Sequence, residues 1–290
     1  MWLQIAAATL VIPLGLDLYM PVPEANPLTA DKISLGRRLF FDTRLSRDQS
    51  VSCATCHMPD RAFSDARPIA VGVLGRVGRR NAPALVNRGY GRGFFWDARS
   101  QSLEAQVLKP IEDRNEMDFS VGEAGARVGL SGEEISFALA SYVRSILSGN
   151  SAFDRFVNGD RTALSDEQQR GLQVFRGKAN CTACHVGPSF TDERTHNTGI
   201  AWRTGTLTDE GAGKGAFKTP TLREVSRSAP YMHDGSLTTL EEVIELYDRG
   251  GNPNPSLDPE VRPLRLTPEE KHALLAFLQS LNGDLQEGGR

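Results

Sequence analysis

The same pentapeptide occurs twice in the chain, as Cys53-Ala-Thr-Cys56-His57 and as Cys181-Thr-Ala-Cys184-His185. Two cysteines at this spacing, followed directly by histidine, are typical of covalent c-type haem attachment, in which the thiols bond the porphyrin vinyl groups and the histidine binds the iron. A thioredoxin-type redox pair or a shared zinc site would leave both histidines without a role. The two pentapeptides use all four cysteines of the chain. We therefore predict two covalently attached c-type haems and no disulfide.

The residues that flank the two pentapeptides are also repeated. Leu35–Phe40 precedes the first site and Arg170–Phe175 precedes the second, while Ala62–Asp65 and Ser189–Asp192 follow them. A self-similarity at this scale indicates a duplicated unit. Strand signals are sparse. The sequence therefore predicts a mostly α fold with two cytochrome c-like haem domains arranged as an internal duplication.

Helix-capping signals divide the chain. Ser131 with Glu134 forms a capping box before an amphipathic helix that closes the first domain, and Ser165 with Gln168 opens the second. We predict an N-terminal haem domain over residues 29–160 and a C-terminal haem domain over residues 161–290, with a linker at 149–164. Residues 1–28 form a signal-like or extended N-terminal segment.

Composition and cellular location constrain the partners. The net charge of −3 gives no argument for nucleic-acid binding. Cytochromes of this type are assembled outside the bacterial cytoplasm, so we expect an exported, periplasmic protein. The apolar stretch Leu3–Leu16 is too short to span a membrane. It also lacks the basic start and a clear cleavage site of a signal peptide, and we interpret it as a signal remnant rather than as an arm packed on the body.

The second face of each iron decides the function, because two strong ligands make an electron carrier and an open face can bind peroxide. The segment Arg67–Gly93 can lie over the first haem but contains no histidine or methionine. Met58 is too close to His57 to reach the opposite face, and His272 lies on the polar side of the last helix. We expect one open face at the first haem. The arginines of this segment either pair with haem propionates or are solvated: Arg76, Arg79, Arg80, Arg88 and Arg92.

These features together resemble the bacterial dihaem cytochrome c peroxidase family, and more closely its MauG-like and MbnH-like branch. The resemblance extends from about Asn26 to Leu281. Beside the two haem sites, the motifs that carry it are Arg80-Asn-Ala-Pro83, Phe95-Trp-Asp-Ala-Arg99, Pro110–Met117, Phe217-Lys-Thr-Pro-Thr-Leu222 and Pro230-Tyr-Met-His-Asp-Gly235.

The resemblance implies roles for residues that the local sequence does not distinguish. Trp96 matches the tryptophan between the two haems, where an indole can relay an electron; otherwise it is a core aromatic. Gln106 and Glu116 match the distal pocket of the first haem, although Glu116 lies in a charged run typical of a surface. A carboxylate there can take a proton from peroxide and return it to the leaving oxygen.

The resemblance also implies a calcium ion between the domains. Asn81 matches one ligand, with the main-chain carbonyls of Ser228 and Pro230 as the others. Oxygen ligands suit Ca²⁺, and water molecules would complete the shell. The alternative is that Asn81 only caps a turn.

At the second haem the chain departs from ordinary members of the family. Those members carry a methionine ligand at the position of Tyr247. MauG-like members have a tyrosine there, as this chain does. On helical periodicity alone Tyr247 is a core aromatic. A tyrosine ligand is hard and anionic, and it favours a low reduction potential. His196 and His233 match positions near the second haem, where we expect structural or hydrogen-bonding roles. The missing histidine of the first loop implies reactivity without prior reduction.

The leading hypothesis is a dihaem c-type peroxidase-like oxidoreductase. It reduces hydrogen peroxide at the N-terminal haem and passes oxidising equivalents through Trp96 to the His/Tyr haem. The external donor is a small cytochrome or cupredoxin; alternatively, the enzyme oxidises a side chain of a partner protein, as the MauG-like resemblance implies. The rival classes are a dihaem electron-transfer protein without substrate chemistry and a haem-based sensor.

Overall fold

The computed structural model describes residues 10–288, and helices are its main regular elements. In chain order the α-helices are α1 Ala30–Phe40, α2 Cys53–Cys56, α3 Leu103–Gln106, α4 Lys109–Glu112, α5 Val121–Val128, α6 Gly132–Arg144, α7 Ala152–Val157, α8 Asp166–Arg176, α9 Leu240–Asp248 and α10 Pro268–Gln279. The strands are β1 Leu147–Gly149, β2 Thr195–His196, β3 Trp202–Arg203, β4 Thr206–Leu207, β5 Phe217–Lys218 and β6 Asp284–Gln286. They pair antiparallel as β1–β6, β2–β5 and β3–β4. The predicted mostly α fold is confirmed.

Each domain is organised on one crossed pair of helices, and a glycine sets the closeness of each pair. A Cβ atom added to Gly36 of α1 would lie 1.9 Å from the carbonyl oxygen of Ala138 in α6. A Cβ atom on Gly171 of α8 would lie 1.9 Å from the carbonyl oxygen of Ala273 in α10. The repeated glycine of the two flanking motifs is therefore the contact point of equivalent helix pairs. This equivalence confirms the internal duplication.

Two main hydrophobic cores surround these helix pairs. The first contains Ile33, Leu39, Leu139 and Tyr142, and its last buried member is Leu147. The second runs from Leu164 to Leu281 and is rich in phenylalanine; its aromatic members include Phe175, Phe190 and Phe277. Ala152, Phe153 and Phe156 precede the boundary that we predict at residues 160 and 161, yet they pack against the second core.

Local capping signals place helix starts at Ser131 and Ser165 as predicted, and two further capping boxes follow the same pattern. Capping boxes open α6, α8, α9 and α10 at Ser131, Ser165, Thr239 and Thr267. The predicted linker at 149–164 contains one helix that we did not expect, α7. Asp154 of this helix and Arg223 form an ion pair with a separation of 2.5 Å, and both side chains are only 1% exposed. The segment therefore contributes a buried charge pair to the second half of the chain.

The N-terminal segment lies against the body of the protein over residues 10–28. Leu10, Leu16 and Met20 are buried there. The carbonyl oxygen of Leu14 accepts a hydrogen bond from the Asn150 backbone, and that of Gly15 accepts one from the Arg223 guanidinium. This part is an extended arm, the alternative that we did not favour. The start of the proposed signal remnant, residues 1–9, lies outside the described residues. Among residues 10–288, no helix has the length and apolar character needed to cross a membrane.

Candidate functional site

The two histidines of the pentapeptides are held in the same way. His57 follows α2, and its Nδ1 lies 2.9 Å from the carbonyl oxygen of Phe63. His185 Nδ1 lies 2.8 Å from the carbonyl oxygen of Phe190. A hydrogen bond from Nδ1–H to a carbonyl fixes the ring tautomer and leaves Nε2 as the free metal-binding atom. Burial lowers the pKa of His57, and that of His185 to about 4, so both rings are neutral at pH 7 and able to bind a metal.

A cavity of about 1010 Å³ opens beside the first pentapeptide. Cys53, Cys56 and His57 all line it, so the two attachment thiols and the ligand side chain face one space. The volume is at the upper end of the range for cofactor sites. The residues present therefore fit a covalently bound haem.

The two predicted distal residues line the same cavity. Gln106 ends α3, and Glu116 follows the short helix α4. Burial, with a smaller contribution from the nearby Asp113 carboxylate, raises the pKa of Glu116 to about 7. A carboxyl group with this pKa can both accept and donate a proton near neutral pH. The structure thus places Glu116 in the cavity and not on the surface that its charged neighbours indicate.

The segment 67–93 fixes the position of Glu116. The backbone N–H of Val73 donates a hydrogen bond of 2.8 Å to the carbonyl oxygen of Glu116. A Cβ atom on Gly72 would lie 2.2 Å from the carbonyl oxygens of Asn115 and Glu116. The segment can approach this closely only because residue 72 has no side chain. Among the described residues, His57 is the only histidine that lines the cavity. Two methionines, Met117 and Met232, line it as well.

We expected five arginines to pair with haem propionates or to be solvated, but three of them pair with protein carboxylates. Arg76 pairs with Asp118, Arg80 pairs with Asp97 and Asp209, and Arg88 pairs with Glu193. These side chains are 10–26% exposed, and their guanidinium groups are bound by protein carboxylates. The prediction missed these pairs because the acidic partners are distant in sequence. Arg79 lines the cavity, and both Arg79 and Arg92 are exposed.

Trp96 is half-buried in the cavity wall and is held at both its ring and its backbone. The indole Nε1–H donates a hydrogen bond of 2.8 Å to the carbonyl oxygen of Asn81. The Trp96 carbonyl oxygen accepts a hydrogen bond of 2.7 Å from the backbone N–H of Lys218. The ring is therefore held by a segment of the first half, and the Trp96 backbone by a segment of the second.

The three predicted calcium ligands line this cavity as well: Asn81, Ser228 and Pro230. The Asn81 side-chain nitrogen donates to the carbonyl oxygen of Arg67, which leaves Oδ1 as its ligand atom. Within residues 10–288, the carbonyl oxygens of Ser228 and Pro230 accept no hydrogen bond from the protein. An amide oxygen and two free carbonyls fit the ligand preference of Ca²⁺.

Tyr247 lies on α9 near the second pentapeptide. Burial, followed by the proximity of Cys184 and Cys181, raises the pKa of its phenol. Tyr247 is half-buried, and its hydroxyl group forms no hydrogen bond with the described residues. This oxygen, near the attachment cysteines, would suit an iron ligand of the second haem.

The remaining histidines have environments that match their predicted roles. His196 is hydrogen-bonded to the carboxylates of Asp192 and Asp258. The His233 ring stacks on Phe217 with centroids 3.6 Å apart, and burial lowers its pKa to about 4. His272 is 69% exposed on the polar side of α10.

The segments that surround Trp96 and His233 correspond to each other, a relationship that we did not predict. Phe94 and Ser100 form an isolated antiparallel bridge, and Tyr231 and Leu237 form the same bridge in the second half. The sequence contains the signal, since Phe95-Trp-Asp-Ala98 parallels Met232-His-Asp-Gly235. Trp96 and His233 are therefore equivalent positions of the duplication.

Two cytochrome c-like domains, each with one Cys-x-x-Cys-His site, define a dihaem c-type protein. A family model for di-haem cytochrome c peroxidase matches residues 30–133, and one for cytochrome c matches residues 168–282. Methylamine utilization protein MauG of Methylorubrum extorquens is 40% identical over 294 residues, covering 91% of this chain and 82% of that protein. Cytochrome-c peroxidase IdrP2 of Denitromonas iodatirespirans is 33% identical over 333 residues, covering 97% and 90%.

A solved structure leads to the same assignment. The crystal structure of a MauG-like protein associated with microbial copper homeostasis aligns with a TM-score of 0.85 and 31% identity, covering 93% of this chain and 94% of that one. The chain belongs to the di-haem cytochrome c peroxidase family, which includes MauG. The resemblance drawn from the motifs is confirmed, and with it the two c-type haems.

Proposed function

We propose that this protein is an exported, periplasmic dihaem peroxidase that reduces hydrogen peroxide at its N-terminal haem. One observation carries the proposal: a carboxyl group, Glu116, lines the same cavity as His57 and has a pKa of about 7. A protein that only transfers electrons or only senses a ligand has no need for such a group. The haem, when bound, supplies the iron that binds peroxide and the electrons that cleave its O–O bond.

Glu116 acts as the general base and then as the general acid. As a carboxylate it accepts a proton from the peroxide oxygen nearest the iron, and as a carboxylic acid it returns this proton to the departing oxygen. The Gln106 amide, on the same cavity wall, orients peroxide by hydrogen bonding. Gly72 and Val73 keep the Glu116 backbone in place during both transfers.

Trp96 connects the two haem sites. Its ring borders the first cavity, and its backbone is bonded to the second half through Lys218. An indole in this position lowers the barrier for an electron that moves from the second haem site towards the first. We assign the iron ligand of the second site to Tyr247 because its phenol lies near Cys184 and Cys181 and forms no hydrogen bond with the described residues. An anionic oxygen ligand stabilises high oxidation states of iron, so the second site can share the oxidising equivalents.

The equivalents are finally used on an external donor. One outcome is turnover with a small cytochrome or cupredoxin. The second is oxidation of a side chain in a partner protein, which Tyr247 and the 40% identity to MauG favour. Asn81, Ser228 and Pro230 bind one Ca²⁺ in the wall between the two halves.

The test uses fully ferric holoprotein without reductant. One equivalent of hydrogen peroxide is added, and electron paramagnetic resonance and the visible and near-infrared spectra are followed. We expect rapid loss of both ferric signals and a long-lived oxidised state. Steady turnover with reduced cytochrome or cupredoxin would select the first outcome, and its absence would favour a protein substrate. Retention of both ferric signals would contradict the proposal and favour an electron-transfer protein.

A further inference from the structure

Two segments of the chain exchange backbone hydrogen bonds across an approximate two-fold relationship. The N–H of Asn81 donates to the carbonyl oxygen of His233, and the N–H of Lys218 donates to the carbonyl oxygen of Trp96. Both distances are 2.7 Å. Asn81 and Lys218 are separated by the same number of residues as Trp96 and His233. Lys218 is therefore the positional equivalent of Asn81.

The backbone conformation extends the correspondence beyond these hydrogen bonds. Asn87 and Glu224 stand at equivalent positions and have φ angles of +59° and +60°. Phe95 and Met232 are also equivalent, with φ angles of +67° and +73°. Left-handed conformations are uncommon for such residues, so their recurrence is not a coincidence of sequence. The two segments have one backbone trace with different side chains.

The side chain at position 218 carries the positive charge that position 81 would obtain from a metal ion. Lys218 is only 9% exposed, and its Nζ donates to the carbonyl oxygen of Thr219 at 3.0 Å and to Glu193 at 3.4 Å. A buried ammonium group is tolerated where it has such acceptors. One half thus offers oxygen ligands to an exchangeable cation, and the other half contains a covalently attached cation.

Arg88 and Glu193 complete this built-in site. The carbonyl of Gly93, which is equivalent to the proposed calcium ligand Pro230, accepts a hydrogen bond of 2.7 Å from Arg88 Nη2. Arg88 Nη1 also pairs with Glu193 at 2.7 Å, and both side chains are 10–12% exposed. The Gly93 carbonyl oxygen is therefore bonded to a guanidinium group, whereas the equivalent carbonyl of Pro230 is the one proposed to bind a metal ion. Burial lowers the pKa of Lys218 to about 8, so at pH 7 it is mostly protonated, and these three side chains together carry about one net positive charge.

We propose that Lys218, with Arg88 and Glu193, forms a built-in cation site that is the intramolecular counterpart of the Asn81 site, and that Lys218 is a positioning residue for Trp96. Its backbone hydrogen bond to the Trp96 carbonyl places the residue beside Trp96, and the side-chain charge held there is what Lys218 itself contributes. The inference rests on the proposed function for the role of Trp96. The comparison with the Asn81 site also rests on the proposed calcium ion, whereas the effect of the Lys218 charge does not.

The charge has a measurable consequence. A buried positive charge disfavours the more positive member of a nearby redox couple, because Coulomb interactions are weakly screened in the protein interior. Removal of the Lys218 charge should therefore lower the midpoint potential of a haem close to it. Removal of the Glu193 charge should raise this potential.

The experiment measures both haem midpoint potentials by spectroelectrochemical titration of the holoprotein. The variants are Lys218→Met, which removes the charge at similar volume, Lys218→Arg, which retains it, Glu193→Gln and the double variant Lys218→Met/Glu193→Gln. We expect a lower potential at one or both haems in Lys218→Met and a higher one in Glu193→Gln. Lys218→Arg and the double variant, whose cluster charge equals that of the wild type, should stay near the wild-type values.

Wild-type potentials in Lys218→Met with full haem content and cooperative unfolding would overturn the inference. If Lys218→Met does not fold, Glu193→Gln still tests it, since an unchanged or lowered potential there contradicts it equally. A calcium chelator added to the wild type separates the two sites. If the chelator has no effect on stability or spectrum, calcium at Asn81 is wrong, while the charge-dependent potentials still support the Lys218 site.

Discussion

The indole nitrogen of Trp96 donates a hydrogen bond of 2.8 Å to the carbonyl oxygen of Asn81. This bond joins the proposed electron relay to the proposed calcium ligand, since the side chain of the same asparagine presents its Oδ1 as a ligand atom. The orientation of the indole ring and the integrity of the cation site are therefore coupled. Disturbance of either residue should be detected at the other.

Replacement of Trp96 by phenylalanine should separate the two haems functionally. The phenyl ring lacks the N–H group that bonds to Asn81, and it is much harder to oxidise than indole. We expect peroxide to react at the first haem while oxidation of the second slows by at least about tenfold, a loss of ~1.4 kcal/mol of transition-state stabilisation. Rapid-freeze electron paramagnetic resonance can follow the two ferric signals separately. Equal rates for both haems in this variant would exclude Trp96 as the relay.

Glu116→Gln should slow the reaction with peroxide by about 100-fold or more, which is the usual contribution of a general acid–base group. The amide preserves the shape of the side chain but cannot take or return a proton. Stopped-flow absorbance measures the second-order rate constant. Glu112→Gln is a suitable control because Glu112 belongs to the same charged run but is exposed. A rate constant that stays at the wild-type value would assign the proton transfer to another group.

The pH dependence of the same reaction follows from the raised pKa of Glu116. Burial shifts this pKa to about 7, so the base form is the minority below pH 7 and the majority above it. The rate constant should therefore increase with pH through about 7 and level off above it. In Glu116→Gln this step in the profile should disappear. A profile that is the same in both proteins would show that the titrating group lies elsewhere.

Tyr247→Met should convert the second haem to the ligand set of ordinary family members. A thioether ligand raises a haem potential relative to an anionic oxygen ligand. We expect a higher midpoint potential at the second haem and little loss of both ferric signals upon peroxide addition without reductant. Tyr247→Phe, which removes only the oxygen, is the matched control and should leave that iron with an open position. An unchanged spectrum in Tyr247→Phe would mean that Tyr247 only packs against the haem.

Gly36→Ala and Gly171→Ala should each destabilise the protein, because the new methyl group would lie 1.9 Å from a carbonyl oxygen of the facing helix. The usual cost of such overpacking is about 1–3 kcal/mol. Gly122→Ala in α5 is the control, since a Cβ atom there has no neighbour within 4 Å. That variant should be neutral or slightly more stable because alanine favours helices. Thermal unfolding of the ferric holoprotein compares the stabilities of the three variants. If Gly36→Ala and Gly171→Ala are as stable as Gly122→Ala or more so, the helix-pair assignment is contradicted.

The sequence by itself determined the features that depend on residues close in the chain. The haem attachment sites are contiguous pentapeptides, and the helix starts at Ser131 and Ser165 are set by capping residues three positions apart. The same holds for the repeated glycines, whose flanks already indicated a duplication. These features were predictable because neighbouring residues suffice to form them.

Only the tertiary structure decided the environments of Glu116, Trp96 and Lys218. Glu116 lies in a charged run, but segment 67–93 packs on its backbone and encloses it in the cavity. Lys218 bonds to Trp96, and its ammonium group meets Glu193, although neither partner is near it in sequence. The burial and charge of a side chain are set by segments that the fold brings together, so no local pattern contains them.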